Sequence, residues 1–202
     1  MKTEILVITD RSGSMSSIAP DVIGGFNRFL KDQKAQPGEA LITYTQFDTN
    51  YEVVYTARPI SEAPELDHST FVPRGGTALF DAIGRTLNQQ GERIAREKWA
   101  ELVVVCIITD GQENASREFS RERIQEMVKH AEANGWQFLF LAANQDAFMA
   151  AQSFGSAAKY AGNFQANAAG VAMAYTATSA TLSAMRSGEK PDQLLMMTNT
   201  NP

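Results

Sequence analysis

Apolar residues fall along the chain in three continuous runs and four spaced stripes. Glu4–Thr9 read EILVIT, Leu102–Thr109 read LVVVCIIT and Trp136–Ala142 read WQFLFLA. Each run is short, and the first two are rich in β-branched residues, the pattern of strands covered on both faces of a parallel sheet. Val22, Phe26, Phe29 and Leu30 fall at i, i+4, i+7 and i+8. Leu79, Ile83 and Leu87 repeat at a spacing of four, as do Ile124, Met127, Val128 and Ala131 in their turn. The last stripe is Val171, Tyr175, Thr178, Leu182 and Met185, set among alanines. These stripes predict four helices, each with one apolar face. Leu41–Phe47 and Tyr51–Tyr55 flank Asp48-Thr49-Asn50 and predict a hairpin that ends in one antiparallel edge strand.

The order is therefore strand, helix, hairpin, helix, strand, helix, strand, helix. It predicts an α/β, doubly wound fold: a mostly parallel central sheet with one antiparallel edge strand and helices on both faces. No repeat or low-complexity linker divides the chain, so a single domain is expected over residues 1–186. Residues 187–202, with Gly188 and Pro191, are expected to form a loosely held tail. The Leu194-Leu195-Met196-Met197 run inside that tail offers a patch for docking on the body.

Composition narrows the class. Among 202 residues, 18 basic and 23 acidic side chains leave a formal charge of −5, against the basic surface that a general nucleic-acid binder needs. Hydrophobic residues make up 44%, enough for an ordinary core and too many for a disordered chain. No apolar stretch approaches the ~20 residues of a bilayer span, and Ile5–Ile8 is too short for the core of a signal peptide. One cysteine, Cys106 in a central strand, suits a reducing compartment and reads as an inert, buried thiol. The expectation is a cytoplasmic protein that binds neither membrane nor nucleic acid. A compact chain opening at Met1 raises the further expectation of a bacterial or phage origin.

Ligands of a doubly wound sheet sit beyond the carboxyl ends of its strands, so the residues after each strand carry the argument. The first strand runs into Asp10-Arg11-Ser12-Gly13-Ser14-Met15, and the LVVVCIIT strand into Asp110-Gly111-Gln112-Glu113-Asn114. Arg74-Gly75-Gly76-Thr77 directly precedes the second helix. Asp10, Ser12 and Ser14 alternate, so a tight loop can turn their oxygens the same way. Gly13 is expected to supply a backbone conformation closed to other residues, and Gly75-Gly76 a close approach of the Thr77 loop. Two carboxylates and three hydroxyls are oxygen donors of the kind hard divalent cations prefer, Mg²⁺ first, with Mn²⁺ or Ca²⁺ accepted by the same set. Two aspartates balance one such ion while hydroxyls add no charge. The metal would stay electrophilic and take a further carboxylate from a protein partner.

Asp10-x-Ser12-x-Ser14, Thr77 in GGTALFDAI and Asp110 in TDGQEN together resemble the von Willebrand factor A (vWA) domain and its metal-ion-dependent adhesion site, over residues 3 to about 155. The resemblance implies a Rossmann-like vWA fold and a metal held by Asp10, Ser12, Ser14, Thr77 and Asp110, directly or through water. It also implies that a partner's acidic side chain completes the coordination. The final helix shifts in some relatives to tune affinity. Lys159–Asn167 stands as an insertion ahead of it here, and that switch is not carried over.

Bland readings compete for the remaining polar residues. Asp48 reads as a turn former, and Arg11, Arg74 and Glu113 as solvated loop charges. Asn144-Gln145-Asp146 fits either a site rim or a helix cap. Asn114-Ala115-Ser116 is a sequon with no meaning without secretion. His68 and His130 form neither a triad nor a metal cluster, and Met127, Met173 and Met185 read as core filling. An enzyme is disfavoured. A dehalogenase-like phosphatase would place a second aspartate where Ser12 stands, there is no G-x-S-x-G turn, and there is no P-loop or dinucleotide fingerprint. No catalytic residue is assigned. The alternatives are a scaffold or assembly component with a structural metal and, behind it, a Mg²⁺-dependent phosphohydrolase.

Overall fold

The computed structural model describes residues 1–143 and 159–194. Six strands form one sheet in the order β3-β2-β1-β4-β5-β6. They are β1 (Thr3–Asp10), β2 (Ala40–Phe47), β3 (Tyr51–Pro59), β4 (Leu102–Thr109), β5 (Gln137–Ala143) and β6 (Ala161–Phe164). Only β3 runs antiparallel, paired with β2 through the Asp48–Asn50 turn. Four α-helices are described: α1 (Ala19–Lys34), α2 (Leu79–Glu97), α3 (Arg121–Ala133) and α4 (Ala168–Arg186). The sheet, the hairpin and the helices match the sequence pattern with one addition. Lys159–Asn167, expected as an insertion, contains β6, whose AGNF sequence has almost no apolar alternation. Its pairing with Phe140–Ala143 of β5 makes it a strand.

Strand alternation divides the core between the two faces of the sheet. Ile5, Val7, Ile42, Tyr44, Val104, Cys106 and Leu139 face α1 and α4, where Phe26, Phe29, Val171 and Tyr175 meet them. Leu6, Ile8, Val103, Val105, Ile107 and Phe140 face α2 and α3 and pack on Leu79, Ile83, Ile124 and Val128. All eight residues of β1 are buried, as a central strand of a covered sheet requires. Burial of the Cys106 thiol pushes its pKa up to about 12, which keeps it protonated and inert.

Met127 is partly buried and Met185 fully, as expected of core filling, but Met173 is 43% exposed. It lies two residues past Val171 on a helix, off the stripe that faces the sheet. The far end of α4 is locked by its one charged residue. The Arg186 guanidinium, buried, donates to the carbonyl of Gln33 at 2.7 Å and to its Oε1 at 3.1 Å, so α4 satisfies an end carbonyl of α1. Beyond it the chain is tied down for a few residues more. The Tyr160 hydroxyl donates to the Pro191 carbonyl at 2.7 Å, and Leu194 is buried in the core. Leu195, Met196 and Met197 lie outside the described residues.

From β1 the chain moves to β2 on one side and later enters β4 on the other. The sheet's topological switch point is therefore between β1 and β4, where loops diverge and leave a crevice at the carboxyl edge. Asp10 closes β1, and Asp110 follows β4 at the same edge.

Candidate metal centre

The five residues picked out by alternation and spacing come together at this crevice. Asp10 is fully buried. Its Oδ1 accepts the Ser12 backbone N–H at 2.6 Å, and its Oδ2 accepts the Thr109 hydroxyl at 2.5 Å. The Ser12 and Ser14 hydroxyls lie 3.1 Å apart, and Ser14 donates to Asp110 Oδ1 at 2.6 Å. Thr77 is placed from the other side. A Cβ added at Gly111 would stand 2.8 Å from Thr77 Oγ1 and 3.5 Å from Asp10 Oδ2, so both oxygens border the space a side chain at 111 would fill.

Three segments hold this geometry. The loop after β1 passes into a 3₁₀ turn, Gly13–Ser14-Met15-Ser16-Ser17-Ile18, anchored by buried Met15 and Ile18. Residues 74 and 75 run beside it: Arg74 N–H donates to the Arg11 carbonyl at 2.8 Å, and Gly13 N–H to the Gly75 carbonyl at 3.1 Å. Gly75 has φ +67, and a Cβ there would meet Thr49 Oγ1 at 2.8 Å, so both its conformation and its space exclude other residues. Gly13 differs from the expectation. Its φ is not positive, and a Cβ there would only touch the Gly75 carbonyl at 3.4 Å. Closeness to residue 75, rather than a left-handed backbone, is what suits glycine at 13.

The loop after β4 supplies the third segment, and it holds residues that sequence reasoning undervalued. Glu113 Oε1 accepts Ala115 and Ser116 N–H, while Oε2 accepts the N–H of Phe80 in the first turn of α2 at 3.0 Å. Ser116 Oγ takes the Asp81 N–H. The residue before α2, Ala78, has no capping side chain, so a loop 33 to 35 positions away caps the helix instead. Glu113 is thus a structural residue, not a solvated loop charge. Asn114 Oδ1 accepts the Thr77 N–H at 2.9 Å, and Asn114 N–H donates back to the Thr77 carbonyl at 3.0 Å. That pair fixes Thr77. The only sequence signal was the acidic and amide side chains directly after TDG, which read equally as solvated.

Asp48 and Arg11 also do more than expected. Asp48 does form the hairpin turn, its Oδ1 accepting Asn50 N–H at 2.7 Å. Its Oδ2 receives Arg11 Nε at 2.9 Å and Arg74 Nε at 3.0 Å, and Arg11 continues to Gln46 and to Glu52 at 2.7 Å. Burial would raise the Asp48 carboxyl, but the Asn50 amide and the two guanidinium groups outweigh it and hold the pKa below the usual carboxylate range. This ion cluster braces the flank of the 11–14 loop.

Charge at the crevice itself is of the opposite kind. Burial pushes the Asp10 carboxyl up to about 6, despite the Thr109 hydroxyl and the Ser12 amide that favour the ion, and the neighbouring Asp110 charge adds to the rise. Asp110 is raised by burial too, with the Ser14 hydroxyl acting against it. Two carboxylates disfavoured as free ions, beside three hydroxyls, are a set whose charge a hard divalent cation would offset. The residues present fit such an ion. No group of three or more His, Cys, Asp and Glu suited to a metal occurs among the described residues, so any metal here relies on hydroxyls. Asn144, Gln145 and Asp146 lie outside the described residues. His68 and His130 are exposed, with His130 near the end of α3 that leads away from this edge.

No family model matches the sequence, and no curated protein does at a significant level. Solved structures do match the fold. The proximal thread matrix protein 1 of the mussel byssus, with a zinc-occupied MIDAS motif, superposes with a TM-score of 0.63 at 14% identity, over 90% of this chain and 46% of its own. The manganese-loaded TRAP protein of Plasmodium vivax gives 0.51 at 17% identity, over 70% of this chain and 57% of its own. The vWF domain of the type V pili tip protein of Porphyromonas gingivalis gives 0.62 at 12% identity, over 93% and 96%. The chain thus spans about half the length of the mussel and Plasmodium structures. With its single antiparallel edge strand, its switch point between β1 and β4 and these neighbours, the chain has the vWA-type, Rossmann-like α/β fold.

Proposed function

We propose that this chain is a divalent-metal-dependent protein-binding module. A Mg²⁺-type ion would be held at the carboxyl edge by Asp10, Ser12, Ser14, Thr77 and Asp110. Its remaining coordination would be filled by an acidic side chain of a partner protein. The observation that carries this reading is the convergence of those five oxygen-bearing side chains at the switch point, on three segments braced by the Asp48 cluster and the Glu113 loop. The metal supplies a Lewis-acidic centre for a carboxylate, and the protein's part is to hold the oxygens, neutralise two charges and leave one side open. A manganese-loaded neighbour and one with a zinc-occupied MIDAS motif support a divalent ion for this chain.

The role is binding rather than catalysis. Ser12 stands where a dehalogenase-like phosphatase would place a second aspartate, which supports a binding role. No helix among the described residues is long and apolar enough to cross a membrane. The lone buried cysteine accords with a cytoplasmic site of action, and the acidic balance with a partner other than nucleic acid or membrane.

Calorimetric titration with Mg²⁺ and Mn²⁺ of the wild type and of Asp110→Ala, both shown folded by circular dichroism, tests the proposal. Saturable binding by the wild type alone is expected, followed by capture of a partner that chelator releases. A folded wild type that binds neither ion refutes it.

A further inference from the structure

Arg74 is half in water, its side chain 56% exposed, yet its guanidinium is fixed. Nε donates to Asp48 Oδ2 at 3.0 Å, and Asp48, itself 1% exposed, is pinned from below by Arg11 on the same oxygen. The backbone is fixed as well, through the bond from Arg74 N–H to the Arg11 carbonyl. An exposed arginine ordinarily loses rotamer entropy when a ligand orders it; here Asp48 has already restricted it. The terminal amines Nη1 and Nη2 have no partner among the described residues. Asp48 and Glu52 match Arg11 and Arg74 in charge, so what Arg74 offers is a planar fork of N–H donors at a set angle rather than surplus positive charge.

Its position relates it to the metal centre. Residues 74–75 pair with 11–13, so Arg74 rides on the segment that frames Ser12 and, three residues on, carries Thr77. Two residues before Arg74, Val72 is 48% exposed, while its neighbour Phe71 is buried. Val72 and Arg74 stand two positions apart and are both exposed, so an apolar side chain accompanies the guanidinium fork on this segment.

We infer that Arg74 is a specificity-determining anchor for the partner. It takes a second carboxylate of the same acidic segment whose first carboxylate completes the metal, and Val72 contacts the chain between or beside them. The inference rests on the proposed metal-dependent binding. The ligand it names is a protein segment with two acidic residues close in sequence, since an extended peptide carries side chains i and i+2 on one face about 7 Å apart.

The test uses the full chain loaded with Mn²⁺ and fluorescein-labelled Gly/Ser peptides, read by anisotropy. One peptide carries a single Glu, and others carry two Glu separated by one, two or three residues. The wild type is expected to bind its best two-Glu peptide about tenfold more tightly than the single-Glu peptide, the scale of one charge-assisted hydrogen-bonded pair. Whatever its affinity for Mn²⁺, Arg74→Gln should lose the preference, the ratio of its two-Glu to single-Glu affinity falling to about one. Arg74→Lys, which keeps the charge without the fork, should recover only part of it. A wild type without the preference, or an Arg74→Gln protein that keeps it, overturns the inference. A wild type that binds Mn²⁺ and no peptide overturns the proposed partner chemistry along with it, a result distinct from failure to bind the metal.

Discussion

Replacing Asp10 by asparagine should stabilise the metal-free protein while abolishing its response to metal. The Asp10 carboxyl is raised to about 6 from the ordinary aspartate value of 3.8. At 1.36 kcal/mol per pKa unit, holding the ionised form in place costs on the order of 3 kcal/mol above pH 6. The sign follows from proton counting. Between about pH 4 and 6 the folded state keeps a proton that the unfolded state has lost, so stability falls as pH rises through that window. Asparagine is never charged and escapes this loss. It can also keep the local hydrogen bonds. Its Oδ1 can still accept Ser12 N–H, and its Nδ2 can donate to Thr109 Oγ1 if that hydroxyl turns to the Gly111 carbonyl, 3.2 Å away. For a chain of this size about 3 kcal/mol is roughly 6–12 °C in Tm. Thermal melts in EDTA should therefore show Asp10→Asn above the wild type by about that amount at pH 7.5, with the gap closing towards pH 4. Adding Mg²⁺ or Mn²⁺ at 100 times its Kd should lift the wild type by about 2.7 kcal/mol and leave Asp10→Asn where it was. An Asp10→Asn protein less stable than the wild type in EDTA at pH 7.5 would refute the reasoning, because the buried carboxylate would then be a net stabiliser.

Asp48 should behave in the opposite sense: its lowered pKa contributes stability above the unfolded carboxylate range that is lost as pH falls through the folded value. Asp48→Asn, which leaves Arg11 buried with less compensation, should cost about 3–5 kcal/mol in urea unfolding at pH 7, with the difference from wild type shrinking in acid. Gly111→Ala places a methyl 2.8 Å from Thr77 Oγ1. It should weaken Mn²⁺ binding by at least about tenfold in calorimetry, at a stability cost of about 1–3 kcal/mol.

Legibility in the sequence tracked the range of the interactions. The runs of β1, β4 and β5 and the stripes of the four helices are local patterns, and the hairpin is marked by its turn residues. The candidate metal ligands were visible because Asp10, Ser12 and Ser14 alternate within one loop and Asp110 directly follows a strand. Roles set by pairing across the fold were not visible. Glu113 caps a helix that begins more than thirty residues before it, Asn114 fixes Thr77, and Arg11 meets Asp48 only because β1 and β2 lie side by side in register. Strand β6 was missed for the same reason: Ala161-Gly162-Asn163-Phe164 carries no period of its own and is ordered by β5. Met173 shows the reverse error, a large apolar side chain read as core although it lies off the Val171–Met185 stripe, on the outer side of the helix.

The position of β1 also bears on how the fold would respond to a pull at its carboxyl edge. Thr3–Asp10 pairs along its whole length with β2 on one side and over Thr3–Thr9 with β4 on the other, both parallel. A pull on a ligand held at the Asp10 edge would be delivered along the axis of a strand clamped by two ladders. Slipping that strand requires its bonds to shear together rather than peel one at a time from an end. The hairpin strand β3, held on one side only, lies outside this line of force. A partner of the kind proposed, pulling at the crevice, would load β1 against both ladders at once.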